Sequence, residues 1–173
     1  MNIQDLSEKI GDFGKDIRLN LQSVSTAEGA PGLNAEQRVG IALSTAYALG
    51  HQELIDAVIN EYSASATVIE ASKAAATIMA MNNIYYRFLH LSEDQEFSTM
   101  PAKLRMNIIG KPPVAKVDFE LMSLAVSAIS GCGKCINAHI HEVKKAGISN
   151  EGIQSAVRIA SVMNAAKTAL IIK

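Results

Sequence analysis

The alanine-rich stretch SATVIEASKAAATIMAMNNIYYRFL, from Ser65 to Leu89, decides the fold class of this chain. Alanine has the highest intrinsic helix propensity, and small side chains let neighbouring helices approach each other closely. Thr67, Val68 and Ile69 are β-branched and weaken the beginning of the segment. The composition of the stretch nevertheless predicts one long, well-buried helix in the middle of the chain.

Helical patterns precede this segment. Apolar residues recur every three or four positions from Ile3 to Leu21, which predicts a first amphipathic helix. Asn34 and Gln37 have the spacing of a capping box, in which each side chain satisfies a backbone N–H at the start of a helix. We therefore expect a second helix from this cap to about Gly50, and a third from Gln52 to Tyr62.

Further helical patterns follow it. Residues 92–100 are polar and predict a connector, and Pro101 to Ile109 predicts a short helix with proline at its start. Three longer helices are expected at about 119–129, 132–145 and 151–172. No stretch alternates apolar and polar residues over more than a few positions, as a half-buried strand would. The predicted fold class is all-α.

A weak internal repeat adds an expectation about architecture. Residues 41–46, IALSTA, resemble residues 124–129, LAVSAI, and the order of helices around the two segments is similar. We therefore expect residues 1–173 to form a single domain of two related helical halves. The first would cover about 1–92 and the second, with the candidate chemistry, about 101–173.

Composition and charge narrow the classes of function. Hydrophobic residues make up 49% of the chain, and 16 basic and 17 acidic residues leave a formal charge of −1 without blocks of either sign. Such a chain has no basic surface for nucleic acid or for an anionic membrane. Residues 1–10 lack the pattern of a secretory signal, and no window reaches the roughly 18 apolar residues of a membrane span. These observations predict a cytoplasmic protein with neither nucleic acid nor membrane as partner.

The stretch SGCGKCINAHIH, from Ser130 to His141, concentrates the reactive side chains of the chain. If a helix begins near Cys132, then Cys132 and Cys135 are neighbours at i, i+3, and Cys135 and His139 at i, i+4. The positive end of the helix dipole favours thiolate over thiol, and Lys134 would act in the same direction. A thiolate can take oxygen from a peroxide to become a sulfenic acid, which a second nearby thiol converts to a disulfide.

Two other interpretations of this stretch stay open. The cysteines could be inert buried hydrophobes, although glycines beside them at a helix start disfavour that interpretation. Zinc is the better rival, because Cys132, Cys135, His139 and His141 are all competent ligands. One helix cannot easily wrap four side chains around an ion, however, and His141 points about 200° away from His139. A thioredoxin-like protein is disfavoured because no strand pattern precedes the cysteines.

Glu120 is the other candidate residue. Its neighbours Phe119, Leu121, Met122 and Leu124 are apolar, so it either caps the start of a helix or faces a polar pocket. Spacing alone favours the capping role.

Together these residues resemble the active-site pattern of the alkyl hydroperoxidase D proteins, which are relatives of the carboxymuconolactone decarboxylases. The pattern consists of Glu120, a twelve-residue gap, Cys132-x-x-Cys135, and His139 four positions later. The resemblance extends over the whole chain in length and helix order. It implies that Cys135 is the peroxidatic cysteine, that Cys132 resolves its sulfenic acid, and that Glu120 and His139 form a proton relay. It therefore reverses the capping role that spacing favours for Glu120.

The resemblance also implies the setting of the reaction. It implies a homotrimer without a bound cofactor, a lipoyl group on a 2-oxoacid dehydrogenase component as reductant, and an alkyl hydroperoxide reductase C-type peroxiredoxin as partner. One departure concerns Lys134, because well-known members carry a histidine between the cysteines. Lysine is normally charged near pH 7, so it could support a thiolate but not replace the proton transfer of histidine. A non-redox, decarboxylase-like activity on a cyclic lactone and a zinc-held binding module are the alternatives.

Overall fold

The computed structural model of the chain describes residues 1–172, and these residues form an all-α structure without a β-strand, which confirms the predicted fold class. A single 3₁₀ helix at Asp12–Gly14 accompanies ten α-helices within this range. The α-helices are α1 (Ile3–Ser7), α2 (Lys15–Val24), α3 (Ala35–Leu49), α4 (Gln52–Tyr62), α5 (Ala66–Leu91), α6 (Glu96–Thr99), α7 (Asn107–Gly110), α8 (Lys116–Ser130), α9 (Gly133–Lys145) and α10 (Asn150–Ile171). None of the helices within residues 1–172 has the length and apolar character that crossing a bilayer requires.

Helix α5 is the long buried helix that the alanine-rich stretch predicts, and it packs against α3, α8 and α9. Its small residues Ala71, Ala75 and Ala76 are buried at these contacts. Helices α3 and α8 also pack closely, and Gly40 makes room for this contact. A Cβ atom at position 40 would collide with the side chain of Met122. Helix α10 covers α2, α3 and α8 and completes the main core. This packing fixes α8 and α9, which carry the candidate chemistry, against α5.

The predicted start of the second helix is confirmed. The Asn34 side chain accepts a hydrogen bond from the backbone N–H of Gln37, and the Gln37 side chain accepts one from the backbone N–H of Asn34. The predicted long helix α5 begins behind a similar cap, since Ser65 accepts from the N–H of Val68. Local capping chemistry therefore sets where these helices begin.

The prediction of one N-terminal helix from Ile3 to Leu21 is wrong. The chain leaves the helix after Ser7 and adopts an extended conformation at Gly11, with ψ 175°, before α2 begins. The break is stabilised by Arg18, whose guanidinium donates a hydrogen bond of 2.9 Å to the carbonyl of Ile10. Phe13, which fits the apolar periodicity, is 64% exposed.

The predicted short helix at Pro101–Ile109 is also wrong over most of its length. Residues 101–106 are irregular, with Lys103 at a positive φ of 54°, and only α7 is helical. The preceding connector packs on α5, since the ring centres of Phe97 in the connector and Phe88 on α5 lie 5.1 Å apart. This segment leads the chain back to α8 along the side of α5 where Cys135 lies.

Two helix junctions have the same construction, one between α3 and α4 and one between α8 and α9. Each first helix has 15 residues and ends at a left-handed glycine, Gly50 with φ 65° or Gly131 with φ 68°. The next residue caps the second helix: the Nδ1 atom of His51 lies 3.4 Å from the amide of the third residue onward, and the Sγ atom of Cys132 lies 3.3 Å from the corresponding amide. This correspondence supports the predicted two-halved layout, whose boundaries remain a prediction.

Candidate active site

The two cysteines lie at the beginning of α9. Cys132 is the cap residue and Cys135 is in the first turn, with their Cα atoms 5.3 Å apart and their sulfur atoms at disulfide-bonding distance. Cys132 is fully buried, whereas Cys135 retains 6% of its surface. The predicted approach of the two sulfur atoms is therefore confirmed.

The backbone explains why the sulfur atoms meet here. Gly131 ends α8 in the left-handed conformation, and the Cys132 N–H then donates to the carbonyl of Ser127 at 3.2 Å. This turn places Cys132 at the cap position, where its sulfur accepts a hydrogen bond from the Cys135 N–H. Amide groups in the first turn and the positive end of the helix dipole stabilise a thiolate at this position.

Glu120, on α8, connects two cationic or hydrogen-bonding side chains. Its Oε2 atom lies 2.6 Å from Nδ1 of His139, and its Oε1 atom accepts a hydrogen bond of 2.6 Å from Nζ of Lys116. Lys116 donates in addition to the carbonyl of Ile109 at 2.7 Å. Glu120 and His139 are buried, while Lys116 is half-exposed. The structure thus places Glu120 and His139 in direct contact.

Glu120 is held in its ionised form by these neighbours. Burial by itself raises the pKa of Glu120, but the hydrogen bonds from His139 and Lys116, together with their charges, outweigh it and lower the pKa below the usual 4.5. The capping role favoured by spacing alone is wrong, because α8 begins at Lys116 and Glu120 points to His139 instead. At neutral pH a carboxylate therefore lies behind the imidazole of His139.

The other ring nitrogen of His139 has an acceptor of its own. Its Nε2 atom lies 3.3 Å from the sulfur of Met79, on α5. A thioether sulfur and an ionised carboxylate have no hydrogen to donate, so each of them only accepts hydrogen bonds. Because Glu120 accepts the hydrogen on Nδ1, Nε2 is the nitrogen that can take up a proton and release it again, one helical turn from Cys135. The pair of Glu120 and His139 can therefore hold a proton close to the reactive sulfur.

A cavity of about 380 Å³ opens beside Cys135. Its walls are mostly apolar, and they are formed by Met79, Asn82, Tyr86, Met106, Ile109, Lys116, Glu120, Lys134, Cys135, Ala138, His139 and Glu142. Four of the five predicted site residues share this cavity. Cys132 does not line it and lies behind Cys135, at disulfide distance. A small molecule with an apolar body can enter the cavity and meet the sulfur of Cys135 first.

The remaining candidates lie at the edge of this centre or outside it. Lys134 is exposed at the edge of the cavity, with its ammonium 5.7 Å from the centre of the Tyr86 ring. His141 is exposed and does not line the cavity, so the predicted divergence of His139 and His141 is confirmed. Across residues 1–172, no three His, Cys, Asp or Glu side chains are grouped so as to hold a metal ion. The four-ligand zinc set is therefore not assembled.

Three of the cavity residues that sequence reasoning missed contact Glu120, His139 or Cys135 directly. Lys116 has a recognisable signal, because it precedes Glu120 by four positions and so shares its helix face. Met79 and Asn82 come from α5, 60 and 53 residues before their contacts on α9. Only the packing of α5 against α9 brings these two into the site, and no local pattern indicates it.

Lys116→Met is expected to weaken the thiolate of Cys135. Loss of the ammonium removes a positive charge from the wall of the cavity that Cys135 faces, so the thiolate loses electrostatic support. A half-exposed ion pair contributes up to about 1 kcal/mol, so we expect alkylation of reduced Cys135 by iodoacetamide at pH 7 to slow about fivefold. Lys116→Arg is the matched control and should retain the wild-type alkylation rate. Identical alkylation rates for all three proteins would contradict this role of Lys116.

Comparisons with known proteins found a matching family model and several proteins of similar sequence. The model of the carboxymuconolactone decarboxylase family matches residues 95–171, which include both cysteines, Glu120 and His139. A protein of Brucella anthropi named alkyl hydroperoxide reductase AhpD is 49% identical over 172 residues, covering 98% of this chain and 97% of that protein. The protein of the same name from Brucella suis has the same identity and coverage. The one from Coxiella burnetii is 48% identical over 164 residues, covering 94% of this chain and 93% of its own.

Proposed function

This chain belongs to the alkyl hydroperoxide reductase AhpD family, within the carboxymuconolactone decarboxylase superfamily, and we propose that it reduces alkyl hydroperoxides by cycling Cys132 and Cys135 between dithiol and disulfide. The observation that carries this proposal is the placement of the two sulfur atoms. They lie at disulfide-bonding distance, and only Cys135 faces the apolar cavity that also holds Glu120 and His139.

The oxidative step begins with the thiolate of Cys135. It attacks the outer oxygen of the hydroperoxide, the O–O bond breaks, and the sulfur becomes a sulfenic acid. The alkoxide leaves as an alcohol after taking a proton. Glu120 and His139 supply the proton path, because His139 can accept the thiol proton of Cys135 and return it to the leaving oxygen. Cys135 rather than Cys132 has this role since Cys132 has no access to the cavity.

The second step forms the disulfide. The thiol of Cys132 attacks the sulfenic sulfur of Cys135, and the oxygen leaves as water. The two Cα atoms are already 5.3 Å apart in the disulfide-distance arrangement, within the usual range for a bridged pair. Lys134, at the edge of the cavity, would add a positive charge that supports the thiolate during the next cycle.

An external dithiol must then return two electrons and two protons. We propose that this reductant is a lipoyl group on a 2-oxoacid dehydrogenase component, which becomes a cyclic disulfide as Cys132 and Cys135 are reduced. We further propose that the protein carries no bound cofactor and serves an alkyl hydroperoxide reductase C-type peroxiredoxin in the cytoplasm. A reducing compartment would keep both cysteines available for the cycle.

The proposed assembly is a homotrimer. Its support is the apolar face that Ile84, Phe88 and Leu91 form along the end of α5, where all three are exposed. Exposed apolar side chains grouped on one helix face are typical of an interface. Sedimentation at micromolar protein concentration measures the assembly directly.

Counting thiols before and after one equivalent of cumene hydroperoxide tests the function. The reduced protein should show two free thiols, lose both, and release one equivalent of alcohol. Unchanged thiols with intact peroxide would contradict the proposal. The family match over residues 95–171 also allows a non-redox activity on a cyclic lactone. That activity would survive alkylation of the cysteines, whereas peroxide reduction would not.

A further inference from the structure

Asn82 lies on α5, facing the first turn of α9. Its backbone carbonyl oxygen is 3.9 Å from the sulfur of Cys135, and Asn82 is one of the residues that line the cavity. Asn82 is only 5% exposed, and its Oδ1 atom is buried without a hydrogen-bond partner. A buried residue whose side-chain oxygen has no partner therefore contacts, through its backbone, the sulfur that we propose as the peroxidatic one.

This arrangement is unusual for a buried carboxamide. Nearly all buried polar atoms in native proteins are hydrogen-bonded, because an unpaired group loses its hydration without compensation. The next residue, Asn83, is also buried and has an unpaired Nδ2, but its Oδ1 accepts a hydrogen bond of 2.8 Å from Ser127. A leucine of similar size at position 82 would avoid the cost of burying an unpaired oxygen. Asn82 therefore has no evident structural role for its side-chain oxygen.

We infer that the Asn82 carboxamide binds the peroxide group of the substrate, an inference that rests on the proposed function. A hydroperoxide has an O–H donor on its outer oxygen and an acceptor on its inner oxygen. A carboxamide offers the complementary pair, an oxygen that accepts and an NH₂ that donates. The neighbouring walls at Met79 and Ile109 offer apolar surface, and Lys116 is already engaged by Glu120.

The same contacts assist the reaction. When the outer O–H donates to Oδ1 of Asn82, the outer oxygen is held beside the thiolate of Cys135. As the O–O bond breaks, negative charge develops on the inner oxygen, which the NH₂ of Asn82 stabilises until a proton from His139 arrives. The electrons of the new S–O bond come from the thiolate, and the products are the sulfenic acid and the alcohol.

Asn82→Leu tests this inference by comparing two reagents for the same thiol. We expect the rate of Cys135 oxidation by cumene hydroperoxide, followed in a single turnover by quenching and mass spectrometry, to fall about 100-fold. Alkylation of Cys135 by iodoacetamide should stay within about twofold of wild type, because the environment that favours the thiolate is kept. The melting temperature should not fall, since no side-chain hydrogen bond is lost. Asn82→Ala removes the same groups without branched bulk and should give the same two rates.

Asn83→Leu is the matched control on the adjacent residue. It removes the bond to Ser127, so its melting temperature should fall by about 3 °C while the folded protein is oxidised at the wild-type rate. Wild-type oxidation rates in both Asn82 variants would overturn the inference. A parallel fall in oxidation and alkylation would also overturn it, because Asn82 would then act on the thiol. If wild-type protein itself is not oxidised, the proposed function fails instead.

Discussion

Cys135→Ser is expected to abolish peroxide turnover, with a loss of at least about 1,000-fold. A serine hydroxyl stays protonated at neutral pH and cannot replace a thiolate as the attacking group. Cys132→Ser should behave differently, because Cys135 can still be oxidised once but its sulfenic acid then has no resolving thiol. The measurement is the number of peroxide equivalents consumed per chain, combined with the mass of the protein after one equivalent.

The structure makes the second variant a clean control for the first. Serine is a preferred cap residue, so Cys132→Ser should leave the beginning of α9 intact. The expected product is a protein that gains one oxygen on Cys135 and consumes one equivalent of peroxide. Normal turnover by Cys135→Ser would show that the assignment of the peroxidatic cysteine is wrong. Continued turnover by Cys132→Ser would show that another group resolves the sulfenic acid.

Glu120→Gln is expected to slow the oxidation of Cys135 about 100-fold at pH 7, because removing a group of a proton-transfer pair typically has effects of this size. Glutamine keeps the length of the side chain but has no negative charge to place behind His139. Its effect on the rate is measured in single turnovers with cumene hydroperoxide. A rate within a few-fold of wild type would show that Glu120 is not part of the proton path.

The same substitution has a pH-dependent effect on stability, with a defined sign. Folding lowers the pKa of Glu120 below 4.5, so its ionised form stabilises the fold at pH values above 4.5. This contribution is lost as the pH falls through the pKa of the folded state. We expect Glu120→Gln to be about 2 kcal/mol less stable than wild type at neutral pH, the usual size for hydrogen bonds to a charged group. Urea unfolding should show that this difference shrinks in acid, whereas a constant difference would contradict the role of the charge.

Local patterns predicted most of the helices because each depends on its own residues. The capping residues Asn34 and Gln37 and the alanines of α5 act within one helix, and their predicted consequences are observed. The N-terminal break was not predicted because the apolar spacing continues through it. What ends the helix there is the extended backbone at Gly11, stabilised by a hydrogen bond from Arg18 to Ile10.

The candidate site divides in the same way. Cys132, Cys135 and His139 share one helix, so their spacing alone predicts that they are neighbours. The partner of Glu120 lies 19 residues away on another helix, and without the family resemblance its spacing indicates a cap. Asn82 reaches the site from α5, a helix distant in sequence, through the packing of α5 on α9, which no short stretch of sequence records.

The two matching helix junctions have a consequence for the catalytic cycle. The junction before α4 forms the same turn with His51 at the cap, where no sulfur is available to cross-link it. The backbone of such a turn therefore forms without a disulfide, and the bond between Cys132 and Cys135 is not what keeps α9 in place. We expect the enzyme to alternate between its redox forms on a stationary framework, with only side-chain atoms moving and no refolding between one peroxide molecule and the next.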